Sequence, residues 1–119
     1  MDKPNNKPLF HILTKSEADT AKATGVYLPA TFADEGFIHC SYVNQVCRVA
    51  AHFYKGQQNL VLLEIDKALL TAKVIDEDLY EAGEDFPHIY GELPWTAIST
   101  VHDFPCLEDG SFELPESVQ

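Results

Sequence analysis

At 119 residues, with 45% apolar and 23% charged side chains, the chain has room for one self-sufficient domain and needs no staple to fold. Eight basic against nineteen acidic residues give a net charge of −11, and no basic residue follows Lys73. Such a surface repels phosphate backbones and anionic lipid, which excludes nucleic acid and membrane as expected partners.

The polar, proline-bearing start, residues 1–7, reads as a flexible lead. Leu9–Leu13 is short and β-prone, a first strand. Thr14-Lys-Ser-Glu17 fits a capping box, Thr14 accepting from an amide while Glu17 reaches back, and the helix it opens runs to Thr24 with Gly25 as its stop. Val26–Asp34 is a connector broken by Pro29. Gly36–Cys40 predicts a second strand, and Ser41 is placed to cap a helix on which Val43, Val46, Cys47, Ala50, Ala51 and Tyr54 share one face, with Gly56 closing it.

Asn59–Ile65 is apolar on both alternations, which suits a central strand covered on both sides. Lys67–Leu70 reads as a turn and Ala72–Ile75 as a strand. Asp76–Asp85 is an acidic loop that ends at Phe86-Pro-His88-Ile-Tyr90-Gly91. Pro94–Val101 predicts a strand with a short helical lead-in. The domain proper spans residues 8–106, and the acidic, proline-containing tail, residues 107–119, is expected to be poorly ordered. Strands and helices mix without a regular βαβ period, which predicts an α+β fold.

Three free cysteines without a C-x-x-C pair, no export-type start and no long apolar run predict a cytoplasmic protein, a monomer or weak homo-oligomer. Cys40 neighbours His39, yet adjacent strand residues point to opposite faces, so the pair is a poor nucleophile–base couple and Cys40 reads as core. His52 and His102 read as surface or rim residues, and Glu77 as part of a solvated acidic run.

The chemistry-bearing candidates are three short histidine motifs. His11-x-x-Thr14, Gly36-Phe-Ile-His39-Cys-Ser41 and Phe86-Pro-His88-x-Tyr90-Gly91 each join an imidazole to a hydroxyl and to a glycine or a helix start, where backbone can approach a ligand. Taken singly, His11 and His39 read as core histidines satisfied by backbone. Taken together, they read as a site. Three histidines are also a candidate metal set, although no H-x-H or H-x-x-x-H spacing is present. Glu64, inside an otherwise apolar strand, either lies at a solvated end or points at the site.

His11-Ile-Leu-Thr14, Glu35-Gly-Phe-Ile-His-Cys-Ser41 with Gln45, Leu60–Asp66 and Phe86–Gly91 resemble the domain-of-unknown-function family numbered 952, over about residues 8–103. The resemblance implies an ADP-ribosyltransferase-like fold, a split β core of two small sheets with flanking helices, and NAD or a related nucleotide in a cleft. It implies His11 and Thr14 on the nucleotide, His39 and Ser41 shaping a nicotinamide pocket, and His88 with Tyr90 and Gly91 at the third element. His39, His88 and Glu64 are then the catalytic candidates. No carboxylate lies within Phe86–Gly91, where a transferase would keep one, so ADP-ribosyl transfer and non-catalytic binding of a small ligand both stay open.

Overall fold

The computed structural model describes residues 7–79 and 81–118. The lead expected at residues 1–7 lies, Lys7 apart, outside them. The described residues form three antiparallel sheets and three α-helices, an α+β fold. The first sheet has the order β1 (Leu9–Thr14), β4 (Leu60–Ile65), β8 (Ile98–Asp103). The second has β3 (Ile38–His39), β6 (Phe86–Tyr90), β5 (Lys73–Glu77), and the third pairs β2 (Val26–Tyr27) with β7 (Leu93–Pro94). The expected core of two sheets is thus three; the additional pair arises inside the Val26–Asp34 connector, where Val26 and Tyr27 find Pro94 and Leu93 as partners.

β4 is the central strand its two-sided apolar sequence predicts. Val61, Leu63 and Ile65 join Leu9, Leu13, Ile38 and Ile89 in a core between the first two sheets, which also takes Ala18 and Ala21 of α1 (Lys15–Thr24). Leu60 and Leu62 face the other way, with Phe10, Ile12 and Phe104, against Val46 and Ala50 of α3 (Val46–Phe53). One strand thus supplies both cores, because its successive side chains alternate between faces.

α1 begins at the predicted capping box: Thr14 Oγ1 accepts from the Glu17 N–H at 3.1 Å, and Glu17 Oε1 accepts from the Thr14 N–H at 3.1 Å. Gly25 ends it at φ 89°, a left-handed conformation that a side chain would resist. α3 starts later than its apolar face predicts. Ser41 does not cap it, because the Ser41 backbone instead pairs with Phe10, each N–H donating to the other's C=O at 2.8 Å. That bridge ties the free edge of β1 to the end of β3, and α2 (Phe32–Glu35) leads into it.

The tail is more ordered than its composition predicts. Phe112, Leu114 and Val118 pack against the α3-side core, and Ser117 Oγ lies 2.7 Å from His102 Nδ1. His102 is accordingly buried rather than a rim residue, its Nε2 2.8 Å from Glu64 Oε1. These three apolar residues outweigh the acids between them.

Gly91 follows β6 and stands against Ala72, where a Cβ would come within 2.7 Å of the Ala72 Cβ. A contact that close forces the two segments apart. Gly91→Ala is therefore expected to cost about 1.5 kcal/mol in urea unfolding, and Ala72→Gly in the same chain to recover most of it. Equal stability of Gly91→Ala and the parent would show that the segments separate freely.

Candidate functional site

A cleft of about 710 Å³ runs along the free edge of β1, between β3 and β6 on one side and the C-terminal end of α3 on the other. His11, His39 and His88 all line it, as does Ser41. Their convergence follows from register. His39 and His88 are direct partners across β3 and β6, and the Phe10–Ser41 bridge brings β1 alongside. The rings of His39 and His88 meet edge-on with centroids 5.5 Å apart.

Each imidazole is held differently. His11 Nδ1 lies 2.5 Å from the His39 carbonyl, which can only accept, so Nδ1 carries the proton. Nε2 is then the acceptor for the Tyr27 hydroxyl at 3.1 Å. Burial pushes the His11 pKa down from 6.5 to about 4, against the opposing effect of the His39 carbonyl. His11 is therefore a neutral ring of fixed tautomer at physiological pH. The same burial raises the Tyr27 phenol, with Glu17 adding to the rise, and raises the Cys40 thiol enough to leave it an unreactive core residue.

His39 is half-exposed and its Nε2 lies 3.0 Å from Oε1 of Glu35, the last residue of α2. His88 is fully buried, its Nδ1 2.9 Å from Glu77 Oε2 and its ring stacked on Phe37 with centroids 4.3 Å apart. Tyr90 donates its hydroxyl to the same Glu77 oxygen. Glu77 is held below the usual carboxylate range, first by Tyr90 and then by His88. A carboxylate behind an imidazole fixes which ring nitrogen is protonated and how the ring is turned.

β1 adds a feature of its own. Lys15 donates its N–H to Asn59 on the β4 side, and Phe10 turns its N–H and C=O to Ser41 on the other. Ile12, two residues from Phe10, presents its own N–H and C=O on that same outer edge. No described residue pairs with them, and Ile12 lines the cleft. The cleft floor thus carries one unclaimed backbone donor and one unclaimed acceptor side by side.

The remaining candidates fall elsewhere. Thr14 is consumed by the cap of α1. Tyr90 and Gly91 lie outside the cleft wall, Tyr90 serving through Glu77 and Gly91 through close approach to Ala72. Glu64 stands across from Phe10, on the β4 face opposite that of Leu63, the partner of His11, and is engaged by His102. Its place in an apolar strand marks a second polar cluster rather than the cleft. Among the described residues no group of three His, Cys, Asp or Glu is arranged to hold a metal ion, and both His11 nitrogens are already engaged.

No role in the site follows from sequence for Tyr27, Phe37, Glu35 or Glu77, and Glu77 reads there as part of a solvated run. The Glu35–His39 spacing of four was visible, but Glu77 is hidden within an acidic run. Gln45, buried, donates its side-chain N–H groups to the Asp85 carbonyl at 2.7 Å and to Glu84, while Arg48 also pairs with Glu84. Arg48, then Gln45, hold the Glu84 carboxyl down to about 2. These contacts pin the acidic loop to α3 and set Phe86 at the cleft wall.

No described helix is long and apolar enough to cross a membrane. No curated protein matches the chain. Among solved structures, the crystal structure of protein CC0527 from Caulobacter crescentus is similar, at 33% identity over 90% of this chain and 94% of that one, with a TM-score of 0.80. The solution NMR structure of the same protein matches at 34% identity over 88% and 90% of the two chains, with a TM-score of 0.71. Residues 12–101, a span holding the cleft histidines His39 and His88 and stopping one residue short of His11, match the family described as "Protein of unknown function (DUF952)", and the chain belongs to that family.

Proposed function

We propose that the β1-edge cleft binds a small ligand bearing a primary carboxamide, of the nicotinamide type. The observation that carries this reading is the unclaimed N–H and C=O of Ile12, facing the cleft side by side. A primary carboxamide offers one acceptor and one donor on the same edge, so it satisfies both backbone groups with two parallel hydrogen bonds. Phe10, Phe53 and Tyr54, lining the same cleft, supply apolar surface for a flat ring, and His11 supplies a neutral polar wall. Two splayed antiparallel sheets around a cleft are the arrangement that the ADP-ribosyltransferase resemblance implies, and NAD belongs in the test set for that reason.

The reading is one of binding. Transfer of an ADP-ribosyl group calls for a carboxylate free to steady an oxocarbenium-like carbon. Glu17 and Glu35, the two carboxylates lining the cleft, are engaged by the α1 cap and by His39. Titration of the protein with nicotinamide, followed by amide NMR, is expected to shift the Ile12 N–H and give a Kd of about 1 mM or tighter, as suits a fragment of that size. Nicotinate, which lacks the donor, is expected to bind at least about tenfold more weakly. Ile12→Pro removes the outward N–H, which an edge strand accepts, but also replaces a buried side chain. It is therefore expected to lose the ligand at some cost in stability, with the amide spectrum checking that the fold is kept. Equal binding of nicotinamide and nicotinate, or no response to either, would overturn the proposal.

A further inference from the structure

Resting on that ligand reading, we infer that the cleft selects unphosphorylated ligands, neutral or cationic, over phosphate-bearing ones, and that Glu17 and Glu35 set this preference. Two carboxylates line the cleft, and no lysine or arginine among the described residues does. A bound phosphate is ordinarily met by an Arg or Lys side chain or by the open N-terminus of a helix. Here the start of α1 is already filled by its own cap, with Glu17 and Thr14 bonded to each other's amides. The short α2, whose Thr31 lines the cleft, is a single turn whose Phe32 and Asp34 N–H groups donate to the Pro29 and Thr31 carbonyls. Glu17 also places negative charge where the helix dipole would otherwise favour an anion. Glu35 sits across the cleft beside His39. His11 adds no compensating charge, since both its nitrogens are engaged and burial keeps the ring neutral.

A ligand phosphate within about 6–8 Å of either carboxylate therefore meets like charge, with no lysine or arginine in the wall to offset it. A pyridinium ligand such as nicotinamide riboside meets the opposite: its fixed positive charge is attracted by both carboxylates. The preference is set by fields across a solvent-filled cleft, so it weakens as added salt shortens the screening length from about 30 Å at ~0.01 M to about 3 Å at ~1 M.

The full chain is titrated with nicotinamide, nicotinamide riboside, nicotinamide mononucleotide and NAD at about pH 8 and at both ionic strengths. At ~0.01 M salt the riboside is expected to bind at least about tenfold tighter than the mononucleotide or NAD, and at ~1 M the ratio is expected to shrink to within about threefold. Glu17→Gln with Glu35→Gln retains acceptors for the α1 cap and His39, and is expected to lower the low-salt ratio to about threefold or less. Mononucleotide or NAD binding as tightly as the riboside at low salt overturns the inference while leaving the carboxamide reading intact. Silence toward all four compounds overturns the carboxamide reading and the selectivity with it.

Discussion

Replacement of His88 by alanine is expected to remove about 4 kcal/mol of folding stability. The ring is fully buried, stacks on Phe37 at 4.3 Å and meets His39 edge-on. Truncation leaves a ring-sized void between β3, β6 and the Phe37 side chain, and packed interiors close such voids only in part. It also strips Glu77 of one of its two partners. Tyr90→Phe removes the other partner, but Tyr90 is 37% exposed and water can replace the lost bond, so its expected cost is much smaller than that of His88→Ala. Urea unfolding of the two variants side by side checks the contrast. Near-equal losses would mean that the phenol, and not the imidazole packing, secures this end of the second sheet.

The contrast between these two neighbours also shows what could be read from sequence. Phe86-Pro-His88-Ile-Tyr90-Gly91 stood out as one motif, but its members do different work. His88 and Tyr90 share one face of β6 and both reach Glu77. His88 is buried within the strand while Tyr90 is exposed at its end, and Gly91 matters because Ala72 leaves no room for a side chain. Local signals were legible where a few neighbouring residues decide the outcome. The Thr14–Glu17 box, the Gly25 stop and the two-sided apolar β4 are of this kind. Signals that depend on a distant partner were not. Ser41 looked like a helix cap because nothing near it in sequence announces Phe10, whose edge it pairs with instead.

Glu64 and Glu77 make the same point in opposite directions. Glu64 drew notice because its neighbours are apolar, yet strand alternation sends it to the face away from His11, where His102 takes it. Glu77 reads as one of a solvated acidic run because its neighbours are acidic, yet register sets it within reach of both His88 and Tyr90. The tail was misjudged for a related reason. Composition averages over the segment, whereas Phe112, Leu114 and Val118 need only one apolar sheet face to dock against. The cleft itself, a product of β1 having one unpaired edge, has no sequence signature beyond the three histidines that line it.

His11 gives the protein a pH dependence whose sign is fixed by its surroundings. Its folded pKa is about 4 against 6.5 for the ordinary ring, so between these values the unfolded chain binds a proton that the folded one refuses. Stability contributed by the neutral ring is fully present above pH 6.5 and is lost as the pH falls toward 4. Each pH unit of the difference corresponds to 1.36 kcal/mol, which sets an upper bound of about 3 kcal/mol; because the ring also faces the open cleft, about 2 kcal/mol is the expected loss. His11→Asn keeps a donor and an acceptor but has no titration in this range. Urea unfolding from pH 4 to 7 is therefore expected to show the parent losing about 2 kcal/mol more than His11→Asn on acidification. Parallel stability curves for the two proteins would mean that His11 accepts a proton in the folded state, and its role as a neutral, tautomer-fixed wall of the cleft would fall. Nitrogen NMR of the ring supplies the independent check, with the proton on Nδ1 throughout that range.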